Sequence, residues 1–122
     1  MKGVGAGSKT IALGVRGESA AESHYVDLGY RLVARNWTCS FGELDLVVER
    51  DGVLVFCEVK TRTGAAHGAG FEAVTRDKQR RIRRLADVFI LRSRWSGPVR
   101  FDVASVAARS GDAEVHLFMD AF

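Results

Sequence analysis

Hydrophobic and polar positions along the chain change period several times, and each change marks an element. From about Ile11 to Leu28 an Ala- and Glu-bearing stretch predicts a helix, closed by Gly29 in the usual C-terminal stop position. Tyr30 to Trp37 predicts a strand and Thr38 to Phe41 a short connection. Glu43 to Glu49 alternates, Asp51-Gly52 interrupts, and Val53 to Lys60 is almost continuously apolar. Asp-Gly between two strand patterns is a strong hairpin signal, because both turn residues need positive φ. Gly64 to Gly70 predicts a flexible loop. Thr75 is placed to cap a helix running to about Arg94, whose apolar Ile82, Leu85, Ala86 and Phe89 recur at helical spacing on one face. Gly97-Pro98 stops it. Val99 to Val106 and Glu114 to Phe118 are two more strands, joined by a turn at Ser110-Gly111-Asp112. The order α-β-β-β-α-β-β predicts an α/β sandwich with helices on the sheet.

A two-residue loop at Asp51-Gly52 fixes the register of the hairpin. Arg50 then faces Val53, Val48 faces Val55 and Val47 faces Phe56; further on, Asp45 faces Glu58 and Glu43 faces Lys60. Side chains alternate across a strand, so Glu43, Asp45, Glu58 and Lys60 share one face, and Leu44, Leu46, Val48, Val53, Val55, Cys57 and Val59 share the other. Opposed like charges destabilise a strand pair, so two facing carboxylates call for a cation, and a hard divalent metal taking oxygen ligands fits. The plainer alternative is an ion-pair network at the sheet rim, with Asp45 held by Lys60 or an arginine. A bulged, three-residue loop would also weaken the opposition.

The 122 residues are one domain's worth, residues 11–122, after a small, polar and flexible stretch over residues 1–10 that does not resemble a secretory signal. A hydrophobic content of 47% with 27% charged residues excludes a disordered tail, and no apolar run is long enough to span a membrane. Cys39 and Cys57 have no metal-ligand spacing and form no disulfide framework, so a reducing cytoplasm is the expected location. Charge is concentrated in one place. Arg76 to Arg94 holds eight basic residues against Asp77 and Asp87, a net +6 in a chain whose total is +3. Arg76/Arg80 and Arg80/Arg84 are like-charge i,i+4 pairs, each costing about 0.2–0.5 kcal/mol, and a solvated face usually mixes signs. Arg76, Arg80, Arg81, Arg83 and Arg84 are therefore candidate phosphate contacts, with an ordinary solvated face as the alternative. Nucleic acid, with DNA the expected kind, is the partner this implies.

Asp45, twelve residues, then Glu58-Val59-Lys60 matches the D-(x)n-E-x-K signature of restriction-endonuclease-like nucleases. Gly17-Glu18, Gly29-Tyr30, Ala34-Arg35-Asn36-Trp37, Gly42-Glu43-Leu44-Asp45-Leu46, Val55 to Arg62, Glu72-Ala73-Val74, Lys78-Gln79 and Ala121-Phe122 resemble the YraN-like uncharacterised protein family, from about Gly14 to the C-terminus. The resemblance implies a restriction-endonuclease-like α-β-β-β-α-β core, a mixed central sheet flanked by helices, related to archaeal Holliday junction resolvases. It also implies a metal-dependent endonuclease acting on structured or branched DNA in repair or recombination. In that reading Asp45, Glu58 and the Val59 carbonyl hold Mg²⁺ or Mn²⁺, and Lys60 orients the attacking water or stabilises charge on the phosphate. Glu18 is a further acidic ligand or base, with an exposed helix glutamate as its alternative. Gln79 hydrogen-bonds the water or Lys60, or else caps a packed helix; Arg62 reaches a neighbouring phosphate. Resolvase-like enzymes also suggest a homodimer. Two positions depart from the family: Gly70 stands where proline is usual, and His24-Tyr25 where Tyr-Leu is typical.

A non-catalytic nucleic-acid-binding module of the same fold, and a protein that docks a partner along Val115 to Phe118, remain the competing readings. His24, His67 and His116 are scattered, Cys57 reads as core, and Asp102 reads as an ion-pair partner. Trp37 and Phe41 read as core rather than as base-stacking residues. The Gly3-to-Thr10 stretch lacks phosphate-loop spacing.

Overall fold

The structure, a computed structural model, describes residues 6–63, 74–109 and 112–122. The loop expected at Gly64–Gly70, with His67, and the turn residues Ser110 and Gly111 lie outside them. Seven elements follow the expected order: α1 (Ala6–Asp27), β1 (Arg31–Cys39), β2 (Gly42–Arg50), β3 (Val53–Thr63), α2 (Arg76–Ser93), β4 (Val99–Arg109) and β5 (Asp112–Phe118). Helix α1 begins at Ala6, five residues before the periodic stretch. Nothing between Ala6 and Thr10 breaks a helix, and Gly7 costs only about 1 kcal/mol relative to alanine. Its end is as expected: Gly29 takes φ +94, and the Leu28 and Gly29 amides reach back to His24, Tyr25 and Val26 carbonyls.

The strands lie in the order β1-β2-β3-β4-β5. Every neighbouring pair is antiparallel except β3 and β4, which are parallel and connected through α2, so the sheet is mixed. The helices lie on opposite faces. Ala21 and Tyr25 of α1 pack with Leu46, Val48, Val55, Cys57, Ala104 and Val106. Ile82, Leu85, Ala86 and Phe89 of α2 pack with Leu44, Val47, Leu54, Phe56, Phe101 and Val103. These four are the positions of the expected apolar stripe, and all four are buried. Phe89 meets Trp37 and Phe56 edge-on at 5.3 and 5.7 Å, so Trp37 belongs to the core as expected. Thr75 caps α2 by accepting the Lys78 N–H, and Arg94 ends it at φ +61. No helix is long and apolar enough to cross a membrane among the described residues.

The Asp51-Gly52 turn, at φ +52 and +82, sets the expected register, with Arg50 on Val53, Val48 on Val55 and Val47 on Phe56. The ladder then stops at Leu46–Cys57, so the expected pairing of Asp45 with Glu58 and of Glu43 with Lys60 does not form. Alternation also slips there. Leu44 joins the α2 core while Leu46 joins the α1 core, although strict alternation puts both on one face. The neighbouring strand supplies the reason. Asn36, between the pairs Arg35–Leu46 and Trp37–Leu44, is left-handed at φ +53, and β1 has already slipped register between Leu32 and Ala34. Such irregularities bend a strand and re-aim its side chains.

Away from this break, Asp102 is fully buried and its carboxylate is satisfied on every side. It accepts from Tyr25 Oη at 2.7 Å, from Arg100 Nε and Nη2 at 2.9 Å each, and from the Asp120 amide at 3.0 Å. Asp102 is thus the ion-pair partner its sequence context suggested. Burial, with Cys57 and Asp102 alongside, pushes the Tyr25 hydroxyl far up, so it stays a donor. Cys57 is buried, as expected, and Cys39 and Cys57 are both free thiols.

Candidate active site

Where the β2–β3 ladder opens, the Asp45 side chain fills the gap. Its Oδ2 accepts the Val59 N–H at 2.9 Å, so a carboxylate sits where a strand carbonyl would otherwise pair. Glu58, the residue before Val59, is buried and faces α2, since its Oε2 lies 2.8 Å from Lys78 Nζ. The Asp45 carboxyl is pushed from 3.8 up to about 7, first by burial and then by the charge of Glu58. Glu18 adds to the rise, while the Val59 N–H and Lys78 oppose it. Three elements therefore meet here: β2 brings Asp45, β3 brings Glu58, and α1 brings Glu18 within electrostatic range.

Glu18 is tethered from the other side. Arg35 Nε lies 3.8 Å from it, and the same guanidinium bonds Glu22 at 3.1 Å and Ser19 at 3.0 Å. Lys60 is half-buried two residues beyond Glu58, opposite Ser105 in the parallel register. Ser105 Oγ is buried and has no hydrogen-bond partner among the described residues. Arg62 follows Lys60 on the same strand and is also half-buried. The Gln79 amide donates to the Val74 carbonyl at 3.1 Å and so closes the turn into α2, the helix-capping alternative.

The arginines of α2 divide. Arg83 lies over the Phe101 ring at 4.7 Å and near Phe122 at 5.7 Å, a cation–π contact that packs the helix against β4 and the C-terminus. Arg80 is ion-paired with Asp77. With Arg81 and Arg84 these two line a cavity of about 260 Å³ on the side of α2 away from the core. Arg76, at the first position of the helix, is exposed.

Two hard oxygen donors, Asp45 and Glu58, suit a hard divalent cation better than a soft one. Among the described residues no three His, Cys, Asp or Glu side chains are grouped closely enough to hold a metal by themselves. The residue that sequence reasoning left out of the site is Lys78. Its signal was present: a lysine at i−4 from Ile82 lies on an otherwise apolar stripe and needs a buried partner.

Fold and site together define a mixed α/β protein with a carboxylate pair seated in a break between two central strands. The chain belongs to the uncharacterised protein family UPF0102, whose family model matches residues 17–106. It is 45% identical over 111 residues to a UPF0102 protein of Clavibacter michiganensis, covering 89% of this chain and 94% of the relative. It is also similar to UPF0102 proteins of Mycolicibacterium smegmatis (47% identical, covering 86% and 89%) and Symbiobacterium thermophilum (44%, covering 90% and 95%).

Proposed function

We propose that this protein is a divalent-metal-dependent endonuclease of restriction-endonuclease-like arrangement, hydrolysing phosphodiesters of structured or branched DNA. The observation that carries the reading is the Asp45–Glu58 pair. Two carboxylates are held together in a half-buried break in the sheet, at a cost visible in the raised Asp45 carboxyl, with Lys60 two residues along the same strand. A carboxyl raised by burial and by a neighbouring carboxylate is characteristic of functional sites. Asp45, Glu58 and the Val59 carbonyl would hold Mg²⁺ or Mn²⁺. When bound, the cation supplies positive charge against the negative charge that grows on the phosphoryl oxygens. Lys60 adds a second positive charge there and orients the attacking water. Glu18 holds Arg35 and tunes Asp45 from the α1 side. The exposed arginines of α2 seat the phosphate backbone, which positions DNA without reading its sequence.

The test compares wild type with Asp45→Ala and Glu58→Gln on single-stranded, duplex, flap and four-way-junction DNA, with Mg²⁺ or Mn²⁺. Cleavage by wild type alone, with DNA binding retained in both variants, is the expected result. Cleavage that persists in Glu58→Gln sinks the assignment.

A second reading has its own observation. Lys78 Nζ at 2.8 Å already neutralises Glu58, so the site can persist without a metal ion. In that case the chain is a nucleic-acid-binding module. Binding without cleavage by wild type, with a salt dependence lost in Arg80→Ala/Arg84→Ala, selects it.

A further inference from the structure

Phe41 was expected to pack in the core. Instead it stands 53% exposed at the turn between β1 and β2. Its surroundings are specific. Gly42, the next residue, lies against α2: a Cβ there would make ordinary contact, 3.7 Å from Leu85 Cδ1. Arg81 lies one helical turn before Leu85 and Arg84 immediately before it; both are exposed and line the cavity on α2. Along β2 in the other direction, Asp45 is four residues from Phe41, at most ~14 Å away. One aromatic ring, a cluster of arginines and a carboxylate pair are therefore brought to the same end of β2.

Among the described residues the other large apolar side chains left exposed are Val26, Leu28, Leu32, Leu91, Val99 and Met119. None is in the β1–β2 turn or the first half of α2. Phe41 is thus a lone exposed ring at the turn next to α2 rather than part of an apolar patch of the kind a protein partner covers. Aromatic side chains interleaved with arginines are the physical basis of single-strand binding: arginine takes the phosphates and the ring takes an unstacked base. A span of ~14 Å corresponds to about four base steps at the ~3.4 Å spacing of phosphates along a duplex strand.

We infer that Phe41 stacks on an unpaired base, and that the substrate class is nucleic acid with exposed single-stranded bases at or near a duplex end, rather than intact duplex. This rests on the nucleic-acid reading above and narrows it. An intact duplex offers its rings only at its ends, whereas a fork, flap or junction offers them beside the phosphates that Arg81 and Arg84 would hold.

The test reads binding, without divalent metal, so that it does not depend on cleavage. Fluorescence anisotropy is measured for wild type, Phe41→Ala and Phe41→Trp on a labelled single strand, a duplex of the same length with closed hairpin ends, and a fork. A 2-aminopurine in the single-stranded arm reports stacking. Phe41→Ala should weaken the single strand and the fork on the order of ten-fold and the closed duplex less than two-fold; Phe41→Trp should restore both affinity and quenching. Unfolding midpoints of the three proteins should coincide, because the ring is exposed. Equal losses on all three DNAs, or no loss on any, overturn the role of Phe41 and leave the carboxylate site standing. Wild type that binds none of them overturns the nucleic-acid reading and this inference with it.

Discussion

Replacing Asp45 by asparagine should make the protein more stable, and the gain should depend on pH in a defined direction. In the folded state the Asp45 carboxyl is raised from 3.8 to about 7, so the folded protein holds its proton more tightly than the unfolded chain does. Stability that is whole below pH ~4 is then lost as pH rises towards the folded value, because the unfolded chain releases the proton first. At 1.36 kcal/mol per pH unit, the full rise amounts to about 4 kcal/mol above pH 7. Asparagine keeps the shape and still accepts the Val59 N–H, but it carries no charge beside Glu58. Asp45→Asn should therefore gain about 2–4 kcal/mol at pH 8, roughly 10 °C in Tm for a domain of this size, and well under 1 kcal/mol at pH 4. Urea unfolding of both proteins across pH 4 to 8 measures it. Saturating Mn²⁺ at pH 8 should stabilise wild type by about 3 kcal/mol at a hundred times its Kd and leave Asp45→Asn nearly unchanged. A variant that is less stable than wild type at pH 8, or a gain that does not vary with pH, refutes the idea that Asp45 is held against its own charge.

Other consequences concern the scaffold. At Gly17 an added Cβ would fall 1.9 Å from Thr61 Oγ1, so Gly17→Ala should cost about 1–3 kcal/mol despite its better helix propensity, and Gly17→Ala/Thr61→Ala should recover most of it in denaturant melts. Asp102→Ala leaves the Tyr25 hydroxyl and Arg100 without their shared acceptor and should cost about 3–5 kcal/mol by the same assay. Arg83→Ala should lower the unfolding midpoint through the lost Phe101 contact while leaving the salt dependence of DNA binding unchanged. Arg81→Ala and Arg84→Ala should each reduce that slope by about one without changing stability.

The order of elements, the register set by Asp51-Gly52 and the buried stripe Ile82, Leu85, Ala86 and Phe89 were all legible in the chain. Each depends on neighbours a few residues apart: a turn needs two positive-φ residues, and a helix face needs spacings of three and four. Carboxylates at positions 45 and 58, a fixed number of steps from the turn, were legible for the same reason. What surrounds them was not. Strict alternation fails at Asp45, beside the left-handed Asn36 of another strand. Lys78 reaches Glu58, and Tyr25 and Arg100 share Asp102, only because α1 and α2 pack on opposite faces of one sheet. Arg83 was indistinguishable from Arg81 and Arg84 by spacing alone; a rotation along the helix puts it over Phe101 and them over solvent. Phe41 shows the limit most plainly, since an aromatic residue in a turn is core or surface according to what the fold brings against it. Periodicity is a local property that any single strand or helix carries with it. Burial, partners and proton affinity depend on long-range packing, and only the folded chain sets those.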